Sequence, residues 1–246
     1  MDDRVKVYES LLNLKSELEK ECFRLSLDYA LEFGDQIEML FELKVEVITL
    51  KMKIAYCVQR QYRNQEILDS ELRRYVDAEI LDYQQKLQEL IAFNHAAREN
   101  RGSEIAYHEE KKIRKLYYEI VHLIHPDLHP EYQGKEEISS LWNQAVSAYK
   151  RNDYHDLVEA YDHILILVTP GEVEIPNIEE KIAALQEEVA SIKENEPYTY
   201  RSLLDIQEET EAYHEKLDQE ISDYQEYQES LEGELERFPI RKREDA

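Results

Sequence analysis

The chain has 246 residues, enough for one large or two small domains; 42% are apolar, which permits a core, and 35% are charged. With 5 glycines and 6 prolines it has few helix breakers, which disfavours a sheet protein and favours long helices. A net charge of -25, from 55 acids against 30 bases, repels phosphate, so no nucleic-acid partner is expected.

The opening Met1-Asp2-Asp3-Arg4 leads into a charged amphipathic helix rather than an apolar leader. No apolar run reaches the roughly 18 residues of a membrane span, so no membrane contact and a cytoplasmic location are expected. From Val5 to Phe33, Tyr8, Leu11, Leu18, Cys22, Leu25 and Tyr29 recur, with Lys15 interrupting, at alternating spacings of three and four, the seam of a helix on a near-parallel neighbour. Gly34-Asp35 supplies a stop and a new N-cap, predicting a second helix from Asp35 to Arg63. Folding back at Gly34 places Cys22 opposite Glu46 and Cys57 about 16 Å further along, too far for a disulfide. Both cysteines are expected to be reduced core thiols. A third helix is predicted over Asp69 to Arg98, with Leu72, Val76, Ile80, Tyr83, Leu87 and Leu90 on one side. Asn100-Arg101-Gly102-Ser103 closes it, and Ser103 can cap the next helix. Three long helices on short connections predict an antiparallel bundle or coiled coil over 1–102.

Helices are next predicted near 103–124, 137–151 and 153–168, with Asp153 as N-cap of the last. Pro126, Pro130 and Gly134 make the segment from His125 to Lys135 a loop. The run E-E-K-K-I-R-K-L-Y-Y-E-I-V-H-L-I-H-P-D, Glu109 to Asp127, is followed by a helix carrying Ala148-Tyr149. Together these resemble helix II and the HPD loop of a J-domain, the signature module of the DnaJ family, over Glu109 to Tyr149. The resemblance implies that His125, Pro126 and Asp127 address a DnaK-type ATPase chaperone and stimulate its ATP hydrolysis. It implies a helix II face of Arg114, Lys115, Tyr118, Glu119 and His122, and a core of Tyr117, Ile120, Ile124, Trp142, Ala145, Ala148 and Tyr149. The sequence departs from the family where Tyr118, Glu119 and Leu123 stand in place of a basic face; at Glu119 attraction to an acidic partner becomes weak repulsion. The family's usual first helix, Gly/Phe-rich linker and zinc-binding Cys repeat are not evident.

The string His122, His125, Asp127, His129 has spacing that could ligate zinc or nickel, but the helix and loop account for all four, so no metal and no cofactor are expected. Glu119-Ile120-Val121-His122 has the Glu-x-x-His spacing of di-iron bundles, which need two such pairs; the chain has one. No Walker loop, G-x-S-x-G or Rossmann fingerprint occurs, so no enzyme constellation is legible. The 18 tyrosines on helical stripes read as amphipathic packing residues.

Thr169-Pro170-Gly171 with Pro176 reads as a linker, and the basic cluster Arg237 with Arg241-Lys242-Arg243 as a solvated tail. Beyond the linker, helices are predicted over 177–194 and 199–237, broken at Asn195-Glu196-Pro197, as a hairpin with unequal arms. Its stripe Ile221, Tyr224, Leu231, Leu235 and Phe238 outruns the shorter arm and needs another neighbour, on this chain or in a homodimer, with dimerisation slightly favoured. The expected fold is therefore all-α: a J-domain-like module over 103–169 flanked by long antiparallel, coiled-coil-like hairpins over 1–102 and 170–246. The expected function is a J-type co-chaperone or adaptor whose arms hold a protein client or assembly. The alternative is a scaffolding coiled-coil protein that keeps a degenerate J fold.

Overall fold

A computed structural model describes residues 3–99, 107–168 and 175–241, and the fold is all-α. Its helices are α1 (Asp3–Tyr62), α2 (Asp69–Glu99), α3 (Tyr107–Ile124), α4 (Glu136–Arg151), α5 (Tyr154–Leu167), α6 (Ile178–Glu194), α7 (Tyr200–Asp205) and α8 (Gln207–Leu235). A 3-10 turn, Pro130–Tyr132, lies between α3 and α4, and a two-residue strand β1 (Ile67–Leu68) pairs in parallel with β2 (Ile240–Arg241). No helix among the described residues is long and apolar enough to cross a membrane. The predicted close of α2 at Asn100-Arg101-Gly102-Ser103, the linker at Thr169-Pro170-Gly171 and the tail from Lys242 lie outside the described residues.

The predicted break at Gly34-Asp35 is not there: α1 is one helix of 60 residues, so two helices, not three, occupy 1–102. One glycine costs a helix about 1 kcal/mol, too little to end it when the flanking turns are packed. Gly34 serves a close approach instead. A Cβ at this position would lie 3.0 Å from Asn94 Cγ and Oδ1 on α2. Asn94 is buried and its Nδ2 donates to the Gly34 carbonyl at 3.0 Å. Asp35, predicted as a cap, instead pairs with Arg98. α1 ends where Asn64 takes a left-handed conformation (φ 52°) and Gln65 N–H returns to the Arg60 carbonyl. Neither cysteine is in a disulfide, as expected; Cys57 is buried in the core, but Cys22 is only half-buried, and the two stand on one helix rather than on facing ones.

By contacts the chain forms two compact units, each drawn from separate stretches: residues 1–26 with 102–201, and 27–101 with 202–246. Within the second unit, α2 runs antiparallel to α1, with Asn94 at Gly34 and Glu71 at Arg60. α8 runs parallel to α1, with His214 at Glu32 and Gln228 at Glu46. The predicted single helix over 199–237 is interrupted at Ile206, whose backbone is extended (φ -108°, ψ 105°). Thr210 Oγ1 donates to the Leu203 carbonyl there, and Leu203, Leu204 and Tyr213 all reach the Phe33 cluster. The stripe on α8 finds its neighbour inside the chain. Ile221 joins Phe33, Leu40 and Leu43; Leu231, flanked by Tyr224, Leu235 and Phe238, joins Val47, Leu50 and Ile54. A homodimer is not needed to cover it.

In the first unit, α3, α4 and α5 surround one core with the start of α1 and with α6. Asp153 caps α5 as predicted, accepting from Asp156 N–H at 3.0 Å. α4 ends on Asn152 in a left-handed conformation (φ 57°), and Asp153 N–H returns to the Ala148 carbonyl. α6 runs parallel to α1, with Arg4 at Glu179 and Lys15 at Glu188.

Candidate functional site

The loop His125-Pro126-Asp127 directly follows α3, because Pro126 cannot continue a helix. His125 N–H still closes on the Val121 carbonyl at 3.0 Å, and Leu128 and His129 N–H groups both return to the His125 carbonyl at 2.9 Å. The loop is thus a fixed turn, with Asp127 exposed, His125 and Pro126 half-buried, and Leu128 and His129 buried. Gly134, with φ 81°, turns the chain toward α4.

His125 is packed rather than free in solvent. Its ring stands edge-on to Trp142 of α4, centroids 4.7 Å apart, and its Nδ1 accepts the Asp127 N–H at 3.1 Å. An accepting Nδ1 requires a neutral ring. Burial agrees, pushing this imidazole down to about 4; the Asp127 charge opposes that shift, and Lys15 and His129 reinforce it.

Behind the loop, Tyr117 and Tyr149 stack at 3.9 Å with planes 7° apart. Tyr117, Ile120, Ile124, Ala145, Ala148 and Tyr149 are all buried, as predicted, and Ile113, Val121, Leu128, Leu157 and Ile164 complete the core. Trp142 was expected to anchor this core; it is only partly buried at its edge, covered by His125 and Tyr117. Burial lifts the Tyr117 hydroxyl to about 12, and Ser16 of α1 is within 3.2 Å of it.

The predicted helix II face divides into two rows. Arg114, Tyr118 and His122, four residues apart, line up toward the antiparallel start of α1. Glu17 takes the Tyr118 hydroxyl and pairs with Arg114 at 3.4 Å, and Glu9 lies 3.1 Å from His122 Nδ1. The Tyr8 hydroxyl feels the Asp127 charge: burial first, then that negative charge, pushes the Tyr8 phenol up to about 12. Lys115 and Glu119 form the second row, 3.9 Å apart, with Lys115 82% exposed. Glu119 is therefore paired within its own helix as well as a departure from a basic face.

Sequence reasoning missed Tyr8, Glu9 and Glu17. Their signal was the eight-residue spacing of two acids on α1, matching 114–122 on α3, and it is visible only once these helices are known to pair. The histidine string does not converge on a metal: His122 faces Glu9, His125 faces Asp127 N–H, and His129 binds the His122 carbonyl at 2.7 Å and Glu131 at 2.9 Å. Among the described residues, the donor atoms that come together closely enough to hold an ion are elsewhere, at His155, Asp156 and Glu159 on α5, where Asp156 already pairs with Arg151 at 3.0 Å. A groove of about 570 Å³ between α1 and α6 contains Cys22 and two lysines. Lys15 is paired with Glu188 and Lys150 with Glu19, so the groove offers no spare positive charge from them. Comparison with family models, with curated proteins and with solved structures returns no match.

Proposed function

We propose that this chain is a non-catalytic adaptor of the J-protein kind, acting in the cytoplasm. The His125-Pro126-Asp127 turn and the Arg114, Tyr118 and His122 row address a DnaK-type ATPase chaperone, and the helices of the second unit hold a client or an assembly. The observation that carries this reading is the turn itself: a neutral His125 seated on Trp142, with the Asp127 carboxylate exposed beside the end of α3. A carboxylate offered from a fixed turn meets a partner with little ordering cost. One observation favours the scaffold reading instead: α1 already lies against the same row through Glu9 and Glu17.

The test is ATP hydrolysis by the DnaK-type chaperone encoded in the same genome. The adaptor reading expects wild type to stimulate hydrolysis and His125→Gln to lose that stimulation while keeping its helical circular dichroism. No stimulation by either protein supports the scaffold.

A further inference from the structure

We infer that the start of α1 is a latch on the docking row of α3, holding the place of an acidic partner surface until it is displaced. This rests on the adaptor reading above. The contacts are concentrated in residues 8–17 of α1. Glu17 engages both Tyr118 and Arg114, and Glu9 engages His122. All three members of the row are thus answered by one short segment, in an order that follows the antiparallel pairing.

The chemistry of that segment states what the face fits: a helix offering carboxylates at eight-residue spacing with an apolar seam beside them. The latch itself supplies such a seam, because Val5, Tyr8 and Leu12 are buried in the core. Those residues make the closed state the major one. The polar contacts are of a weaker kind, since Arg114 and His122 remain 45% and 43% exposed, and exposed pairs are screened and easily exchanged. A partner's apparent affinity is then its intrinsic affinity reduced by the fraction of molecules in which the row is free. Removing the polar contacts raises that fraction. Arg4 and Lys15 pair with Glu179 and Glu188 of α6 and are left intact by such a change.

The experiment compares wild type with the triple variant Tyr8→Phe, Glu9→Gln, Glu17→Gln, which keeps Val5, Leu11 and Leu12. Two quantities are read: amide hydrogen exchange over residues 3–20, and the adaptor concentration giving half-maximal stimulation of the DnaK-type chaperone. Faster exchange with a half-maximal concentration lowered at least about threefold is expected. Adding His125→Gln to the triple variant should erase the gain. Faster exchange with equal, non-zero stimulation by both proteins overturns the latch and leaves the adaptor reading standing. Faster exchange with no stimulation by either overturns the adaptor reading, and the latch with it. Unchanged exchange shows that these contacts do not hold α1, which also overturns the latch. If the triple variant loses helicity, Glu17→Gln alone is read against the same outcomes.

Discussion

Replacing Gly34 by alanine tests why α1 stays continuous. In an exposed helix the change is stabilising by about 0.5–1 kcal/mol, because glycine loses more backbone freedom on folding. Here the new methyl would meet the Asn94 amide at 3.0 Å from Cγ and Oδ1 and 3.1 Å from Nδ2. Asn94 cannot swing aside freely: it is 1% exposed and donates to the Gly34 carbonyl and to Glu38. Displacing it strands a buried amide, which costs about 1–3 kcal/mol and outweighs the propensity gain. Gly34→Ala should therefore destabilise by about 1–2 kcal/mol, read by urea denaturation followed at 222 nm. In an Asn94→Ala background the obstruction is gone, and the same Gly34→Ala change should stabilise by about 0.5–1 kcal/mol. Stabilisation by Gly34→Ala in the wild-type background would refute the close-approach argument.

Trp142→Ala should cost about 2 kcal/mol by denaturation, below the 3–5 kcal/mol of a fully buried aromatic, because the ring sits at the core edge; a loss above about 4 kcal/mol contradicts that placement. His125 takes its proton near 4 in the folded chain against an ordinary 6.5 when unfolded, so between those values the unfolded state holds more protons. Its contribution to stability is therefore complete above pH 6.5 and falls as pH drops toward 4, by about 2 kcal/mol at pH 5. The stability difference between wild type and His125→Gln should shift by that amount between pH 7 and pH 5, and a constant difference refutes it. Truncation after Glu220 removes Ile221 and Leu231 from their buried places on α1, about 3–6 kcal/mol of apolar burial. A truncated chain that keeps its melting temperature, mass and solubility would show that the stripe is not a packing face.

Local signals were legible in the sequence and long-range ones were not. Asp153 before α5, Pro126 after α3 and Gly134 in the loop act on their own turns: α3 ends at the residue expected, and α4 and α5 begin and end within one residue of expectation. The J-domain resemblance implied the core positions of α3 and α4, and Tyr117, Ile120, Ile124, Ala145 and Tyr149 are all buried. Gly34 misled because a stop and a close approach ask for the same residue, and Asn94, 60 positions away, decides between them. Residue-level periodicity showed that the α8 stripe needed a neighbour, but α1 was identified as that neighbour only by packing. For the candidate site, the turn was legible, and the resemblance supplied the α3 face as one set without its division into two rows. The cover that Tyr8, Glu9 and Glu17 place over one row was not, because a 100-residue separation leaves no local trace.

The most direct test of the central claim is an amide hydrogen-exchange footprint of the full chain with an excess of the ATP-bound DnaK-type chaperone. The account predicts added protection over residues 118–129, spanning the end of α3 and the His125-Pro126-Asp127 turn. It also predicts reduced protection at the start of α1, where Glu9 and Glu17 give up the row. Unchanged exchange in both segments, or a footprint confined to α2 and α8, would contradict it.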